Sequence, residues 1–325
     1  MGKANNVINN YLSDKRRFAD LINALVYKGE QIIDPSKLRR ISADTYEDLE
    51  DKNPSDLPKR KARYNDLAMR YDNNLVLRIF LEENQDAVSY ILPVRDLGYN
   101  AARYRQQCQQ IKKAHDKAND YADHAERCSG LRKEDKLIPV YTLWLYHGEK
   151  TWDGPRSLKD MINFGNDEDG FSKLFHDHTP HLVCVNELNE FNLFKTELSK
   201  LMEAISLKSG KAGIKGIREN ERFRHVDEET LEAMSVLLNE PSLWKNRDKI
   251  KNEGRDYDVC TGMREWREEI IEETTELVET QNTIEHAQNL INNEGFSIER
   301  ALSALGVPEE KRSYYSEKLK EASAG

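Results

Sequence analysis

A hairpin pattern occupies the stretch from Asp66 to Gln85. Apolar β-forming residues lie on both sides of Asn73 and Asn74, a pair that is typical of a tight turn. The pattern therefore predicts two antiparallel strands, with Asp66 early on the first. Because side chains two apart on a strand share a face, Glu83 and Gln85 are predicted to project together at the end of the second strand, with Asp66 folded back toward them.

The other patterns in the first two thirds of the chain predict helices and buried strands. Residues 15–28 carry an apolar stripe at helical spacing and predict a helix that Gly29 ends. An amphipathic stretch from about 88 to 128 predicts one long helix or a helix pair. The segments 136–147 and 181–186 are apolar on both faces, as central strands covered on both sides are. Together these elements predict an α/β or α+β core with a mixed sheet between helices.

Beyond about residue 190 the pattern is helical only. The predicted helices are 190–208, 226–239, 256–292, 297–304 and 308–321. The predicted domains are 1–205 (the α/β core), 206–255 (a helical extension) and 256–325 (a C-terminal helical region that serves oligomerisation or regulation).

The predicted helix that starts at Asp256 is strongly acidic, so it repels phosphate and is a poor reader of DNA. Its apolar positions Trp266, Ile270, Leu277 and Ile284 recur at steps that fit pairing with another helix. This pattern predicts a homo-oligomer or the docking of a regulatory partner.

Charge restricts the way in which this chain can meet nucleic acid. Charged residues make up 33% of the 325 residues, and the net charge is −9 at pH 7. An acidic chain does not coat nucleic acid indiscriminately, but a local basic surface can still bind it. Basic groups before and after the hairpin are candidates for phosphate contacts, with a solvated helix face and a charged loop as the alternative. The candidate residues are Lys61, Arg63, Arg103 and Tyr104.

The composition also indicates the compartment. No apolar run approaches the roughly 18–20 residues that cross a bilayer, and the first residues lack the apolar core of a signal peptide. The four cysteines are scattered without a C-x-x-C pair, which favours neither a disulfide framework nor a zinc knuckle. We therefore expect a cytoplasmic protein without a membrane partner.

The two carboxylates of the hairpin are the main candidates for chemistry. Asp66 and Glu83 converging at a strand end would form a small oxygen-ligand site suited to Mg²⁺, which often takes one or two carboxylates together with water and phosphate oxygens. An Asp before a strand and a Glu after one are also common at turns, and this is the alternative without a metal.

Several motifs around the hairpin occur in a fixed order. They are Phe18-Ala-Asp-Leu-Ile-Asn23, Asp66, Glu83-Asn-Gln85, Tyr99-Asn-Ala-Ala-Arg-Tyr104, Leu137-Ile-Pro-Val-Tyr-Thr-Leu143 and Trp152-Asp-Gly-Pro-Arg-Ser-Leu158. In this order they resemble the bacterial recombination-promoting nuclease (Rpn) family, also labelled YhgA-like, within the PD-(D/E)XK nuclease superfamily. The resemblance covers about residues 15–205. It implies a restriction-endonuclease-like α/β core, with a mixed sheet flanked by helices.

The resemblance implies a metal-dependent DNA endonuclease linked to recombination, mobile elements or phage defence. By motif position, Asp66 and Glu83 would hold Mg²⁺, with Mn²⁺ or Ca²⁺ as alternatives, and the backbone carbonyl of Asn84 would add a ligand. Gln85 occupies the place of the superfamily's lysine. Asp20 on the first helix is our choice for an accessory acidic residue, with Glu30 as the second choice.

Gln85 is the departure from the superfamily pattern. A lysine there would bring a positive charge to the phosphate or take part in proton transfer, whereas a neutral amide can only orient water or donate a hydrogen bond. The alternative prediction is therefore a catalytically weakened nuclease fold that acts as a DNA-binding or oligomeric interaction scaffold.

Two other motifs have mainly structural interpretations. His176, His178 and His181 have a spacing that could bind a transition metal, but they lie between a loop and a buried strand, and the resemblance implies no ligands there. Trp152 in the motif Trp-Asp-Gly-Pro fits a rigid turn with a buried indole. The run from Ser157 to Asp160 predicts a capping box.

Overall fold

The structure is a computed structural model that describes residues 3–41, 67–72, 75–82, 88–165, 170–209 and 213–323. The chain forms two compact units, Met1–Gly262 and Met263–Gly325. The boundary falls close to the predicted limit at residue 256.

The described part of the first unit contains a mixed β-sheet of five strands. They are β1 (Leu38–Arg40), β2 (Leu67–Tyr71), β3 (Leu75–Glu82), β4 (Val140–Tyr146) and β5 (His181–Cys184), and their spatial order follows the chain. β1, β2 and β3 pair antiparallel, whereas β3, β4 and β5 pair parallel. The predicted α/β class and the mixed sheet are confirmed.

The predicted hairpin is confirmed over its described residues. β2 pairs with β3 from Leu67 opposite Ile79 to Tyr71 opposite Leu75. The turn begins at Asp72, whose φ of 46° lies in the left-handed region that Asp and Asn tolerate.

Described helices come before β1 and after β3 along the chain. In the first half of the chain they are α1 (Lys3–Leu12), α2 (Lys15–Tyr27), α3 (Leu92–Ala118) and α4 (His124–Ser129). Asp14 caps α2 by accepting from the backbone N–H groups of Arg16 and Arg17. The helix ends at Lys28 and Gly29, both with positive φ, as predicted. The amphipathic stretch after the hairpin is a helix pair, α3 and α4.

The core of the sheet lies around β4, where the sequence predicts a strand covered on both sides. Trp144 and Tyr146 are almost completely buried. Tyr99 of α3 stacks on Trp144 at a centroid distance of 5.9 Å, and Trp152 meets Tyr146 edge-on at 5.2 Å. The indole of Trp152 also donates to the carbonyl of Gly154 at 3.0 Å, so this residue stabilises a turn, as predicted.

Residues 206–255, predicted as a separate extension, belong to the first unit. The helices here are α5 (Leu198–Ser209), α6 (Gly213–Glu219), α7 (Glu228–Leu237), α8 (Pro241–Lys245) and the start of α9 (Val259–Glu294). The hydroxyl of Tyr11 in α1 lies 2.6 Å from that of Thr230 in α7, and the guanidinium of Arg17 lies 3.5 Å from the carboxylate of Asp227. These contacts join the N-terminal helices to α7.

The second unit has its own small apolar core. α9 is followed by α10 (Ile298–Ala304) and α11 (Glu309–Ser323), so the two short helices predicted at the end of the chain are confirmed. Its buried residues are Ala287, Ala301, Leu302, Val307 and Leu319. Self-association through α9 stays a prediction.

A histidine joins the end of α3 to the segment that leads into β4. His115 Nδ1 lies 2.7 Å from a carboxylate oxygen of Asp120, and Nε2 lies 3.0 Å from one of Asp135. Because an ionised carboxylate can only accept a hydrogen bond, each ring nitrogen has to donate in these two contacts, which is the arrangement of the doubly protonated imidazolium. The bond to Asp120 raises the pKa of His115, and the bond to Asp135 adds to this effect.

We expect this histidine to stabilise the first unit only while it is protonated. Its pKa in the folded state is raised above the unfolded value of 6.5. The stabilisation is therefore complete below pH 6.5 and is lost as the pH rises through the folded-state pKa. Urea unfolding of wild type and His115→Gln across this range should show the difference shrinking with rising pH. His176→Gln, at an exposed histidine, is the control, and a pH-independent difference for His115→Gln would contradict the assignment.

Candidate functional site

The predicted ligands Asp66, Glu83 and Asn84 lie outside the described residues, as does Gln85. Lys61 and Arg63, predicted to contact DNA, also lie outside them. The described strands show where the chain enters and leaves this region.

The strand ends next to the two predicted carboxylates belong to the middle of the sheet. Asp66 is bonded to Leu67, the first residue of β2, and Glu83 is bonded to Glu82, the last residue of β3. Glu82 lies opposite Tyr146, the last residue of the parallel strand β4. β3 and β4 therefore end together, at the kind of edge where α/β sheets commonly bind ligands.

A buried histidine follows β4 at this edge. His147 is only 7% exposed and comes directly after Tyr146, the last residue of the strand. Burial lowers the pKa of His147 to about 4, so the imidazole is neutral at neutral pH. Sequence reasoning did not single out this residue, although it is the first polar residue after an apolar strand.

A second titratable group, Glu240, is buried at the start of α8. Its side chain is 4% exposed, and its Oε2 atom has no hydrogen-bond partner among the described residues. Burial raises the pKa of Glu240 to about 7, against the opposing effect of Lys208. The ammonium of Lys208 lies 2.7 Å from Glu149 and donates to the carbonyl of Leu237 at 3.2 Å.

We expect Glu240→Gln to remove a pH dependence of stability. The folded state holds this proton more tightly than the unfolded chain, whose carboxyl has a pKa of 4.5. Wild type should therefore lose stability relative to the variant as the pH rises from 4.5 to about 7, by about 1–3 kcal/mol. Urea unfolding across this range measures the difference. Glu232→Gln, at an exposed position of α7, is the control, and parallel pH profiles of wild type and Glu240→Gln would contradict the expectation.

Asp20, the predicted accessory acid, is an anchor in the structure. It is 2% exposed, and its Oδ1 accepts the N–H of Lys195 at 2.8 Å. Its Oδ2 accepts the N–H and the hydroxyl of Thr196 at 2.8 and 2.6 Å. These donors satisfy the hydrogen-bonding capacity of the buried carboxylate. They also connect α2 to the segment before α5. Glu30, the second choice, is exposed.

Arg103 and Tyr104, predicted to contact DNA, both have hydrogen-bond partners within the fold. Arg103 is 7% exposed, and its guanidinium donates to Gln106 at 2.8 Å. The hydroxyl of Tyr104 accepts the backbone N–H of Val140, at the start of β4, at 3.2 Å. These contacts do not test the binding of DNA, so the role of Arg103 and Tyr104 at DNA stays a prediction.

The histidine motif before β5 takes part in a buried hydrogen-bond network. Asp96 of α3 is 2% exposed and accepts from the indole N–H of Trp144 at 2.6 Å through Oδ1. Its Oδ2 accepts from the amide of Asn100 at 2.9 Å and lies 2.7 Å from Nε2 of His178. The hydroxyl of Thr142 donates to the other end of Asn100 at 2.7 Å. We call Asp96 with these donors the Asp96 network.

The predicted capping box is also confirmed, and its carboxylate lies beside an open depression. Asp160 accepts from the backbone N–H of Ser157 at 2.8 Å, and the Ser157 hydroxyl accepts in return from the N–H of Asp160 at 3.3 Å. The depression of about 550 Å³ is lined by Tyr90, Asp153, Gly154, Pro155, Asp160 and Met161. Its two carboxylates already have partners, since Asp153 accepts from Tyr90.

Within the described residues no group of three or more His, Cys, Asp or Glu side chains is arranged to hold a metal ion. None of the described helices combines the length and the apolar character that crossing a bilayer requires. No protein-family model, curated protein or solved structure matches the chain. The resemblance to the recombination-promoting nucleases therefore stays a prediction from the motifs.

Proposed function

We propose that this protein is a metal-dependent DNA endonuclease. The observation that carries the proposal is the arrangement of β2, β3 and β4. The hairpin of β2 and β3 pairs antiparallel, and β3 and β4 pair parallel and end at the same edge. The two motif carboxylates, Asp66 and Glu83, are each one residue away from a described strand of this arrangement.

The donor set fits a hard divalent cation. Asp66 and Glu83 offer anionic oxygens, and the backbone carbonyl of Asn84 offers a neutral one, all of the kind that Mg²⁺ prefers. Such an ion, when bound, supplies positive charge to a phosphodiester and lowers the pKa of a coordinated water.

The protein residues would hold and orient the reacting groups. Asp66 and Glu83 fix the site, and Gln85 can hold a water by accepting or donating a hydrogen bond. A neutral amide cannot take up a proton at neutral pH, so the proton acceptor is a group other than Gln85. A phosphate oxygen of the DNA itself can serve in this role.

The scaffold alternative is favoured by a different observation. The described residues of the predicted site and DNA surface, namely Asp20, Arg103 and Tyr104, all have partners within the fold. A protein that binds DNA without cutting it would keep these packing contacts and need no catalytic proton acceptor.

The test is an assay of supercoiled and linear DNA with Mg²⁺, Mn²⁺ and Ca²⁺ and with a chelator. The endonuclease proposal expects nicked or linear product with Mg²⁺ or Mn²⁺ and none with the chelator. Binding of DNA without any cutting, across all three ions, would favour the scaffold.

A further inference from the structure

Two arginines lie directly opposite each other at the edge of the sheet. Arg39 of β1, the outermost of the described strands, pairs in register with Arg70 of β2. Residues opposite each other in an antiparallel pair share a face, with their Cβ atoms about 5 Å apart. Arg39 is exposed and Arg70 is half-buried, so two guanidinium groups share one patch of the surface. Like charges in this position are destabilising unless an anion lies between them.

No carboxylate of the described residues forms an ion pair with either arginine, and Nε of Arg70 is a buried donor without a partner. The chain does not lack acidic groups, since it has 58 acidic residues against 49 basic ones. Other arginines of the chain form ion pairs with glutamates: Arg156 lies 2.7 Å from Glu187, and Arg222 lies 2.7 Å from Glu203. Among the described residues, the pair of arginines is therefore left without an anionic partner.

Lys37 extends the same basic patch. It lies two residues before Arg39 and is exposed. The acidic position closest to it in register is Asp72, whose backbone N–H donates to the Lys37 carbonyl at 3.3 Å. Asp72 is two residues beyond Arg70 and is exposed, so it is the described carboxylate next to the arginines along β2.

We propose that Arg39 and Arg70 bind the phosphodiester backbone of DNA. A guanidinium presents a rigid fork of N–H donors that matches phosphate oxygens, and two forks on one face can hold one phosphate or two successive ones. As a contact of a nuclease substrate the assignment rests on the proposed function, since β2 is the strand that the chain enters directly after Asp66.

The experiment measures binding of a fluorescent duplex by anisotropy, with a chelator present so that no DNA is cut. The proteins are wild type, Arg39→Gln, Arg70→Gln and the double variant. Each phosphate contact that is lost should reduce the slope of log affinity against log salt by about 1, so the double variant should lose about 2. Arg39→Lys should keep the slope of wild type, because it keeps the charge. Inorganic phosphate at matched ionic strength, added as competitor, tests whether a free anion suffices.

Arg16→Gln is the matched control, because Arg16 is 76% exposed and is paired with Asp14. Equal slopes for wild type and the double variant would overturn the proposal, as would an equal loss in Arg16→Gln. If the double variant instead gains self-association while DNA binding is unchanged, the arginines only protect the sheet edge from pairing. Failure of the endonuclease proposal gives a different result. Wild type then binds DNA with the full salt dependence, but it does not cut DNA with any of the metal ions.

Discussion

Asp66→Asn and Glu83→Gln are each expected to abolish Mg²⁺-dependent cutting of plasmid DNA while the fold stays intact. Each change replaces an anionic oxygen by a neutral amide and so removes a ligand from the proposed cation site. We expect a loss of at least about a hundredfold, which is typical of losing a group that stabilises transition-state charge. The measurement is the initial rate of conversion of supercoiled to nicked and linear plasmid.

Asp72→Asn is the matched control in the same hairpin. Asp72 is exposed and has a positive φ, a conformation that Asn adopts as readily, so this change should leave both fold and cutting unchanged. Far-ultraviolet circular dichroism and urea unfolding of all three variants establish that they are folded. Full activity in both Asp66→Asn and Glu83→Gln would remove the proposed site.

Asp96→Ala is expected to destabilise the first unit strongly, costing about 3–5 kcal/mol. The variant leaves the indole N–H of Trp144 and the amide of Asn100 without their acceptor in a buried setting. It also removes the partner that holds His178 at 2.7 Å. Urea unfolding at constant pH measures the cost, with an unchanged slope showing that the unfolded state is comparable.

Two further variants distinguish the stability that the Asp96 network provides from the general effect of removing a carboxylate. Asp153→Ala removes a carboxylate that is bonded to Tyr90 on the surface, and it should cost under about 1 kcal/mol. Asp96→Asn keeps one acceptor oxygen, so its loss of stability should lie between those of Asp96→Ala and Asp153→Ala. If Asp96→Ala and Asp153→Ala cost the same, the Asp96 network does not stabilise the fold.

Much of the fold could be predicted from local patterns along the chain. The turn residues and β-formers predicted the hairpin of β2 and β3, and the apolar run at 136–147 predicted β4. These signals are local because strand alternation, helix capping and turn chemistry depend on residues a few positions apart. The Asp96 network could not be predicted in this way, since Asp96 and His178 are 82 positions apart and meet only when β4 and β5 pair.

The candidate site shows the same limit more sharply. The position of Asp20 on the first helix suggested an accessory acid, but a helical pattern does not reveal that the backbone of Lys195 and Thr196 would satisfy its oxygens. Arg39 and Arg70 were missed because β1 has only three residues, too few for an alternation to show. Their significance lies in the register between two strands, which is a property of the sheet.

The long-range anchors of the N-terminal helices have a consequence during synthesis on the ribosome. Asp20 cannot form its hydrogen bond until Lys195, 175 positions later, has been synthesised. Tyr11 likewise needs Thr230, which is 219 positions later. A nascent chain that ends before α7 thus lacks the helix that packs on α1, and contacts of such high sequence separation form late and slowly. A fragment that stops at residue 205 would lack the helix that covers α1. The first unit can complete its fold only once α7 has emerged.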